Sequence, residues 1–164
     1  MKGAAVMEQT EKDTQQILIC YDGSSGAGHA IDAAAALFGP RRAVVLVVTP
    51  PMSFGEGIVA TSALVPGATF EEVNMADARQ RAEAGTEHAR RWGMHAEARA
   101  ETAPTTWEGI VDVAEELDVS VIVVGSRGLS GLREAARGSV SHDVATHARR
   151  PVLIVPSPPT KEAA

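Results

Sequence analysis

The chain has 164 residues, the length of one domain, and Cys20 is its single cysteine. One thiol excludes an internal disulfide framework and a multi-cysteine zinc site. The formal net charge of −6 argues against a nucleic-acid binder that neutralises phosphates with basic side chains, but it permits a small phosphate-bearing ligand held by backbone N–H groups.

The two ends of the chain are polar and without a periodic pattern. We expect flexible tails at residues 1–15 and 158–164 and one folded domain at 16–157. The first 16 residues lack the apolar stretch of a signal peptide, and the longest apolar runs are too short to span a bilayer. We therefore expect a cytoplasmic protein with no membrane partner.

Five short segments predict strands. In chain order they are Ile17–Tyr21, Ala43–Val48, His95–Glu101, Val119–Val124 and Val152–Val155. Three are continuous apolar runs and Val119–Val124 is apolar apart from Ser120, as in strands buried on both faces of a parallel sheet. The segment 95–101 instead alternates alanine with charged residues, which predicts a half-exposed strand near a sheet edge.

The segments between these strands have a helical period. The predicted helices are Gly28–Phe38, Glu71–Trp92, one that opens at a Thr105-x-x-Glu108 capping box, and Ser139–Ala148. Leu37 is expected on the buried face of the first helix. In the second, small residues such as Gly85 predict close contact with its support, and Trp92 ends the buried stripe. Residues 49–70 have no clear period and predict a long loop.

Alternating strands and helices favour an α/β fold with a doubly wound, five-stranded parallel sheet and helices on both faces. In such folds ligands bind where the strands end and the loops begin. Two glycine-rich loops have this position, at residues 22–29 and 125–131. After the second loop, Gly138-Ser139-Val140 begins a helix, which predicts an anion site built from backbone N–H groups. Taken singly, each glycine could merely shape a turn and Ser139 merely cap a helix.

The spacing Gly125-x2-Gly128-x9-Gly138-Ser139 resembles the nucleotide-binding signature of the universal stress protein family. Residues 17–24 (ILICYDGS), 119–128 (VSVIVVGSRG) and 151–156 (PVLIVP) are similar to three further segments of that family, so the resemblance covers residues 16–157. It implies a Rossmann-like sheet of strand order 3-2-1-4-5, a homodimer, and ATP binding in members that keep the signature.

The resemblance also implies roles for individual residues. Asp22 would lie beside the nucleotide, and the backbone of Val48 would hold adenine. Gly125 and Gly128 would face ribose and phosphate, and the phosphates would be held by Gly138, Ser139 and Val140. Arg127, with Arg133 and Arg137, could neutralise a triphosphate or form a solvated basic loop. Ala103 stands where family members often have glycine, next to the base.

Other nucleotide motifs and catalytic arrangements are missing. Gly26 and Gly28 are followed by Ile31 rather than the third glycine of a dinucleotide motif, and no Gly-Lys-Ser/Thr tripeptide exists. No histidine pair has metal-binding helical spacing, Ser139 has no evident base, and Cys20 is predicted to be an inert core thiol.

Three functions remain open: an ATP-binding regulatory switch acting as a homodimer with ATP and Mg²⁺, a slow ATPase, or a dimeric interaction module that pairs through Val152–Val155 without nucleotide.

Overall fold

The structure, a computed structural model, describes residues 16–51, 69–126 and 140–157. Its strands form one five-stranded parallel sheet in the order β3-β2-β1-β4-β5. The strands are β1 (Ile17–Cys20), β2 (Arg42–Thr49), β3 (His95–Thr102), β4 (Ile122–Gly125) and β5 (Val152–Val155). This arrangement confirms the predicted fold class and strand order, and β3 is the half-exposed edge strand that its alternation predicted.

In the described ranges, four helices cover both faces of the sheet. They are α1 (Ser25–Phe38), α2 (Phe70–Arg91), α3 (Thr106–Glu116) and α4 (Val140–His147). Ile17 and Ile19 of β1 belong to the apolar cluster of α1 and α2, whereas Leu18 between them belongs to that of α3 and α4. Successive side chains of β1 thus point to opposite faces of the sheet, as expected for a strand that is buried on both faces. None of the helices in the described ranges has the length and apolar composition needed to cross a bilayer.

The helix starts depend on hydroxyl side chains. Ser24 caps α1, so that helix begins three residues earlier than predicted. At the predicted capping box, the Thr105 hydroxyl accepts a hydrogen bond from the Glu108 N–H, as expected. The Glu108 carboxylate, however, accepts from the Thr105 hydroxyl and not from the Thr105 backbone N–H that a capping box requires. The full reciprocal capping box forms instead at Thr69 and Glu72, at the start of α2. That pair was not among the predicted caps.

Two apolar residues expected in the core lie largely in solvent: Leu37 is 64% exposed and Trp92 is 58% exposed. Both stand at or just beyond the last turn of their helices. In the last turn of α1, Phe38 still packs against the apolar cluster on this face of the sheet. Leu37 precedes it by about 100° around the helix axis, at the margin of the buried face, so its side chain stays in solvent.

The predicted strand 119–124 is also shorter than expected, because β4 begins only at Ile122. The Val119 N–H donates to the Ala114 carbonyl and so belongs to the end of α3, while the left-handed backbone of Asp118 turns the chain. Val119 is fully buried all the same. Its apolar character thus reflects burial rather than strand pairing.

Gly85 allows α2 to lie unusually close to the sheet. A Cβ atom on Gly85 would stand 2.8 Å from Cδ1 of Tyr21 and 2.9 Å from Cγ1 of Val45. Carbon atoms pack at about 3.5–4.0 Å, so a side chain at residue 85 has no room. The neighbouring stripe residues Ala78, Ala82 and Ala89 are fully buried, which confirms the predicted close contact.

We expect Gly85→Ala to lower the free energy of unfolding by about 1–2 kcal/mol, because overpacking outweighs the roughly 1 kcal/mol that alanine gains over glycine in a helix. Gly28→Ala in α1 is the matched control, since its Cβ would stand an ordinary 3.7 Å from the ring of His88. Urea unfolding should show this control unchanged or stabilised. Equal effects of the two substitutions would contradict the close contact at Gly85.

Candidate functional site

Three predicted site residues meet at the carboxyl edge of the sheet. The chain leaves β1 to β2 on one side and later enters β4 on the other, so β1 lies at the switch in strand order, where open α/β sheets bind ligands. Cys20 pairs with Leu46, and Ile19 pairs with Val123. Continuing this register brings Asp22 level with Val48 and within one residue of the level of Gly125.

The main chain of Val48 faces the line of β1 just beyond the last residues that pair with β2. Within parallel pairs, a residue directs its N–H and C=O to one neighbouring strand, and successive residues alternate. The Leu46 carbonyl accepts from Tyr21, on the β1 side, and the Thr49 carbonyl accepts from Ala103, on the β3 side. Val48 therefore turns its N–H and C=O toward β1, which has already ended at Cys20. A planar ligand edge could bind both groups there.

The turn after β1 is held by its own side chains. The Ser24 N–H donates to Oδ1 of Asp22 at 2.9 Å, and the Ser24 hydroxyl accepts from the Ala27 N–H. Gly23 between them has a φ of +88°, a left-handed conformation that favours glycine. This turn holds the half-buried Asp22 carboxylate beside the space between the end of β1 and Val48, which we call the crevice. Helix α1 begins at the same edge of the sheet.

Gly125 has a packing role that the sequence analysis did not identify. A Cβ on Gly125 would stand 3.2 Å from the carbonyl oxygen of Gly26, in the first turn of α1. The end of β4 and the start of α1 thus approach each other backbone to backbone. A pair of glycines 99 residues apart in the sequence carries no local signal of such a contact.

The remaining predicted site residues are only partly described. Val140 is the first residue of α4 and is exposed. The other four, Arg127, Gly128, Gly138 and Ser139, lie outside the described residues, as do Arg133 and Arg137, most of the predicted loop at 49–70 and both predicted tails.

Two hydrogen-bonded links that the sequence did not reveal flank the crevice. Oγ1 of Thr49 donates to Oδ1 of Asn74, and Nδ2 of Asn74 donates to the Pro50 carbonyl, which ties α2 to the end of β2. On the other side, the Ser126 hydroxyl accepts from the Ser157 N–H and joins the chain after β4 to the chain after β5. Both links join segments far apart in the sequence, so no local pattern could predict them.

The carboxylate of Asp32 joins two helices. Nε2 of His88 and Nε1 of Trp92 both approach Oδ1 of Asp32, at 2.7 and 2.8 Å, which links α2 to α1. Within the described ranges, no group of three or more histidine, cysteine or acidic side chains could hold a metal ion. Burial raises the pKa of the Cys20 thiol to about 12, which agrees with an inert core thiol.

Residues 14–156 match the sequence profile of a family described as the Universal stress protein family. Universal stress protein YxiE of Bacillus subtilis is 35% identical to this chain over 148 residues, which cover 85% of this chain and 97% of YxiE.

Solved structures share the fold. The structure of MJ0577 from Methanocaldococcus jannaschii matches with a TM-score of 0.68 and 22% identity, covering 90% of this chain and 99% of that one. A universal stress protein in complex with cAMP matches with a TM-score of 0.64 and 22% identity, covering 89% and 99%. Two further matches, from Archaeoglobus fulgidus and Arabidopsis thaliana, were solved with dAMP and AMP. At identities this low, the likeness establishes the fold alone.

The raised pKa of Cys20 makes stability depend on alkaline pH. An unfolded thiol ionises near about 8.5–9, whereas the buried thiol stays neutral. Ionisation therefore lowers the free energy of the unfolded state relative to the folded state as the pH rises above that range. When the pH is raised from 8 to 10.5, we expect the free energy of unfolding of the wild type to fall by about 2 kcal/mol more than that of the Cys20→Ala variant. Urea titrations at the two pH values measure this, and parallel losses in both proteins would contradict the burial of Cys20.

Proposed function

The chain belongs to the universal stress protein family, and on that premise we propose that it binds an adenine nucleotide, ATP with Mg²⁺, at the carboxyl edge of the sheet. The observation that carries the proposal is the main chain of Val48, which faces the position that β1 vacates. By the strand register, Asp22 is level with Val48, and Gly125 is within one residue of that level. The fold relatives solved with cAMP, dAMP and AMP support a ligand that contains adenosine and phosphate.

The chemistry of Val48 favours adenine over guanine. One N–H and one C=O on the same side form a donor and acceptor pair. Adenine presents the complementary pair, because its N7 accepts and its N6 amino group donates, whereas guanine presents two acceptors, N7 and O6, on that edge. A guanine base would leave the Val48 carbonyl facing another acceptor, which costs binding free energy.

The sugar and phosphates would extend from Val48 across β1 toward β4. Asp22 would accept a hydrogen bond from a ribose hydroxyl, and Gly125 and Gly128 would let the backbone approach the ligand. The phosphates would be held by Gly138, Ser139 and Val140, with Arg127 neutralising charge. Mg²⁺ generally binds to triphosphate oxygens and to one or two carboxylates, and Asp22 is the carboxylate at this position.

We further propose that the nucleotide regulates a homodimer joined through β5. This strand is at the sheet edge, and its Val155 and the preceding Pro151 direct their carbonyls to β4. By alternation, Val152 and Ile154 turn their N–H and C=O groups outward, where a second copy can pair with them. Ile154 is 41% exposed in the single chain. A nucleotide drawn from the cytoplasmic pool would stabilise the state that binds it better.

A slow ATPase is the second candidate, and Asp22 beside the crevice is the observation that favours it. A single carboxylate could position a metal-bound water, but fast hydrolysis also needs a base aimed at the terminal phosphate. The third candidate is dimerisation without nucleotide, which the outward edge of β5 allows by itself. Native mass spectrometry of the purified protein distinguishes them: retained ATP, retained ADP or AMP, or an empty dimer.

Removing the charge of Asp22 should weaken nucleotide binding. In Asp22→Asn the amide oxygen can still accept from the Ser24 N–H, so the turn is retained while the bond to the ribose loses its charge. We expect the Kd for ATP to rise about tenfold, or about 1.4 kcal/mol, in titration calorimetry. Asp112→Asn, at an exposed residue of α3, makes the same change in net charge and should leave the Kd unchanged. Equal affinities in all three proteins would remove Asp22 from the site.

The dimer proposal predicts that Ile154→Pro yields a monomer. Proline removes the N–H that faces outward from β5 and leaves the pairing with β4 in place. Sedimentation velocity should detect a dimer for the wild type and for Ile154→Ala, which keeps the N–H, but a monomer for the proline variant. A monomeric wild type, or a dimer that survives the proline, would refute pairing through β5.

A further inference from the structure

Gly109 of α3 is packed too tightly to carry a side chain. A Cβ atom on Gly109 would stand 2.7 Å from Cγ1 and 3.2 Å from Cγ2 of Val48, and 2.8 Å from Cβ of Ala103. Each distance is shorter than the roughly 3.5–4.0 Å at which carbon atoms pack. The start of α3 therefore rests directly on these two residues.

Val48 and Ala103 stand at neighbouring positions on the carboxyl edge. Val48 is the next-to-last residue of β2, and Ala103 follows the last residue of β3. The Ala103 N–H donates to the Thr49 carbonyl at 3.2 Å, which fixes the two chain segments to each other. Since Ala103 is also buried, it cannot move outward freely to make room at residue 109.

We infer that Gly109 is a positioning residue for base recognition, an inference that rests on the proposed nucleotide site. The Val48 side chain packs with the cluster on the α3 face, while its N–H and C=O turn toward the end of β1. A group added at residue 109 pushes on that side chain and displaces the attached main chain. Gly109 thus sets where the donor and acceptor of Val48 meet the base.

Ala103 and Gly109 act as a pair in this contact. The methyl group of Ala103 occupies part of the space that a side chain at residue 109 would need. The double variant Ala103→Gly/Gly109→Ala removes one methyl group and adds another, so the packed volume stays constant. The added methyl group at residue 109 still makes the short contact with Val48. The double variant therefore separates the packing role of the pair from the positioning role of Gly109.

The test compares ATP with inosine triphosphate, whose base carries an oxygen in place of the N6 amino group. The wild type should bind ATP at least about tenfold more tightly, because the base edge of inosine that carries N7 has O6 as a second acceptor and offers no donor to the Val48 carbonyl. In Gly109→Ala this selectivity should fall below about threefold, since hydrogen bonds weaken steeply when their geometry is disturbed. Val113→Ala, one turn along α3, removes core packing without touching this contact and should lower the melting temperature while keeping the selectivity.

The double variant Ala103→Gly/Gly109→Ala covers the case in which Gly109→Ala fails to fold. It should regain stability and still show reduced selectivity. Selectivity that returns together with stability, or that survives in Gly109→Ala, would overturn the positioning role while the nucleotide site stands. A wild type that binds ATP and inosine triphosphate equally would overturn base reading by Val48. A wild type that binds neither would overturn the proposed function itself.

Discussion

Strand β1 ends at Cys20 while its neighbour β2 continues to Thr49, and this difference in length shapes the carboxyl edge of the sheet. The early end of β1 leaves one side of the Val48 main chain without a strand partner and brings the turn at Asp22 to the same level. It also lets α1 begin close enough to β4 for Gly125 to meet Gly26. A backbone donor and acceptor, a carboxylate and a helix start thus surround the space that β1 vacates.

Small residues hold the elements around that space. The chain has few aromatic residues, and its core is built from alanine and branched aliphatic side chains. Gly85, Gly109 and Gly125 each stand where a Cβ atom would meet a neighbour at 3.2 Å or less. These contacts place α2, α3 and α1 on the sheet with little freedom to shift. Because interiors are close-packed, a displacement at one of them passes to the neighbouring strand end.

Much of the fold could be predicted from the residues. Apolar runs predicted the buried strands, and the alternation of alanine with charged residues predicted the edge strand β3. The stripe of small residues along α2 predicted its close contact with the sheet. The exact strand order followed from the family resemblance, since periodicity alone does not fix it. The predicted burial of Leu37 was wrong, because a helical period alone does not fix how wide the buried face of a helix is.

The candidate site was less predictable than the fold. Local motifs pointed to Asp22 and Gly125, since loops after strands have a compositional signature. The direction of the Val48 main chain beyond the end of β1 and the tie through Asn74 depend on where neighbouring strands end, which a sequence does not state. The same holds for the contact of Gly109, because its two partners lie 61 and 6 residues away along the chain. Such contacts become visible only once the segments are assembled.

The most direct test is an NMR titration of the ¹⁵N-labelled protein with AMP that follows the backbone amide of Val48. The account predicts that this amide resonance moves downfield as AMP saturates the protein and that the amide exchanges with solvent more slowly, because its N–H gains an acceptor in the base. Saturation with AMP that leaves the Val48 amide unchanged while other amides shift would contradict the account.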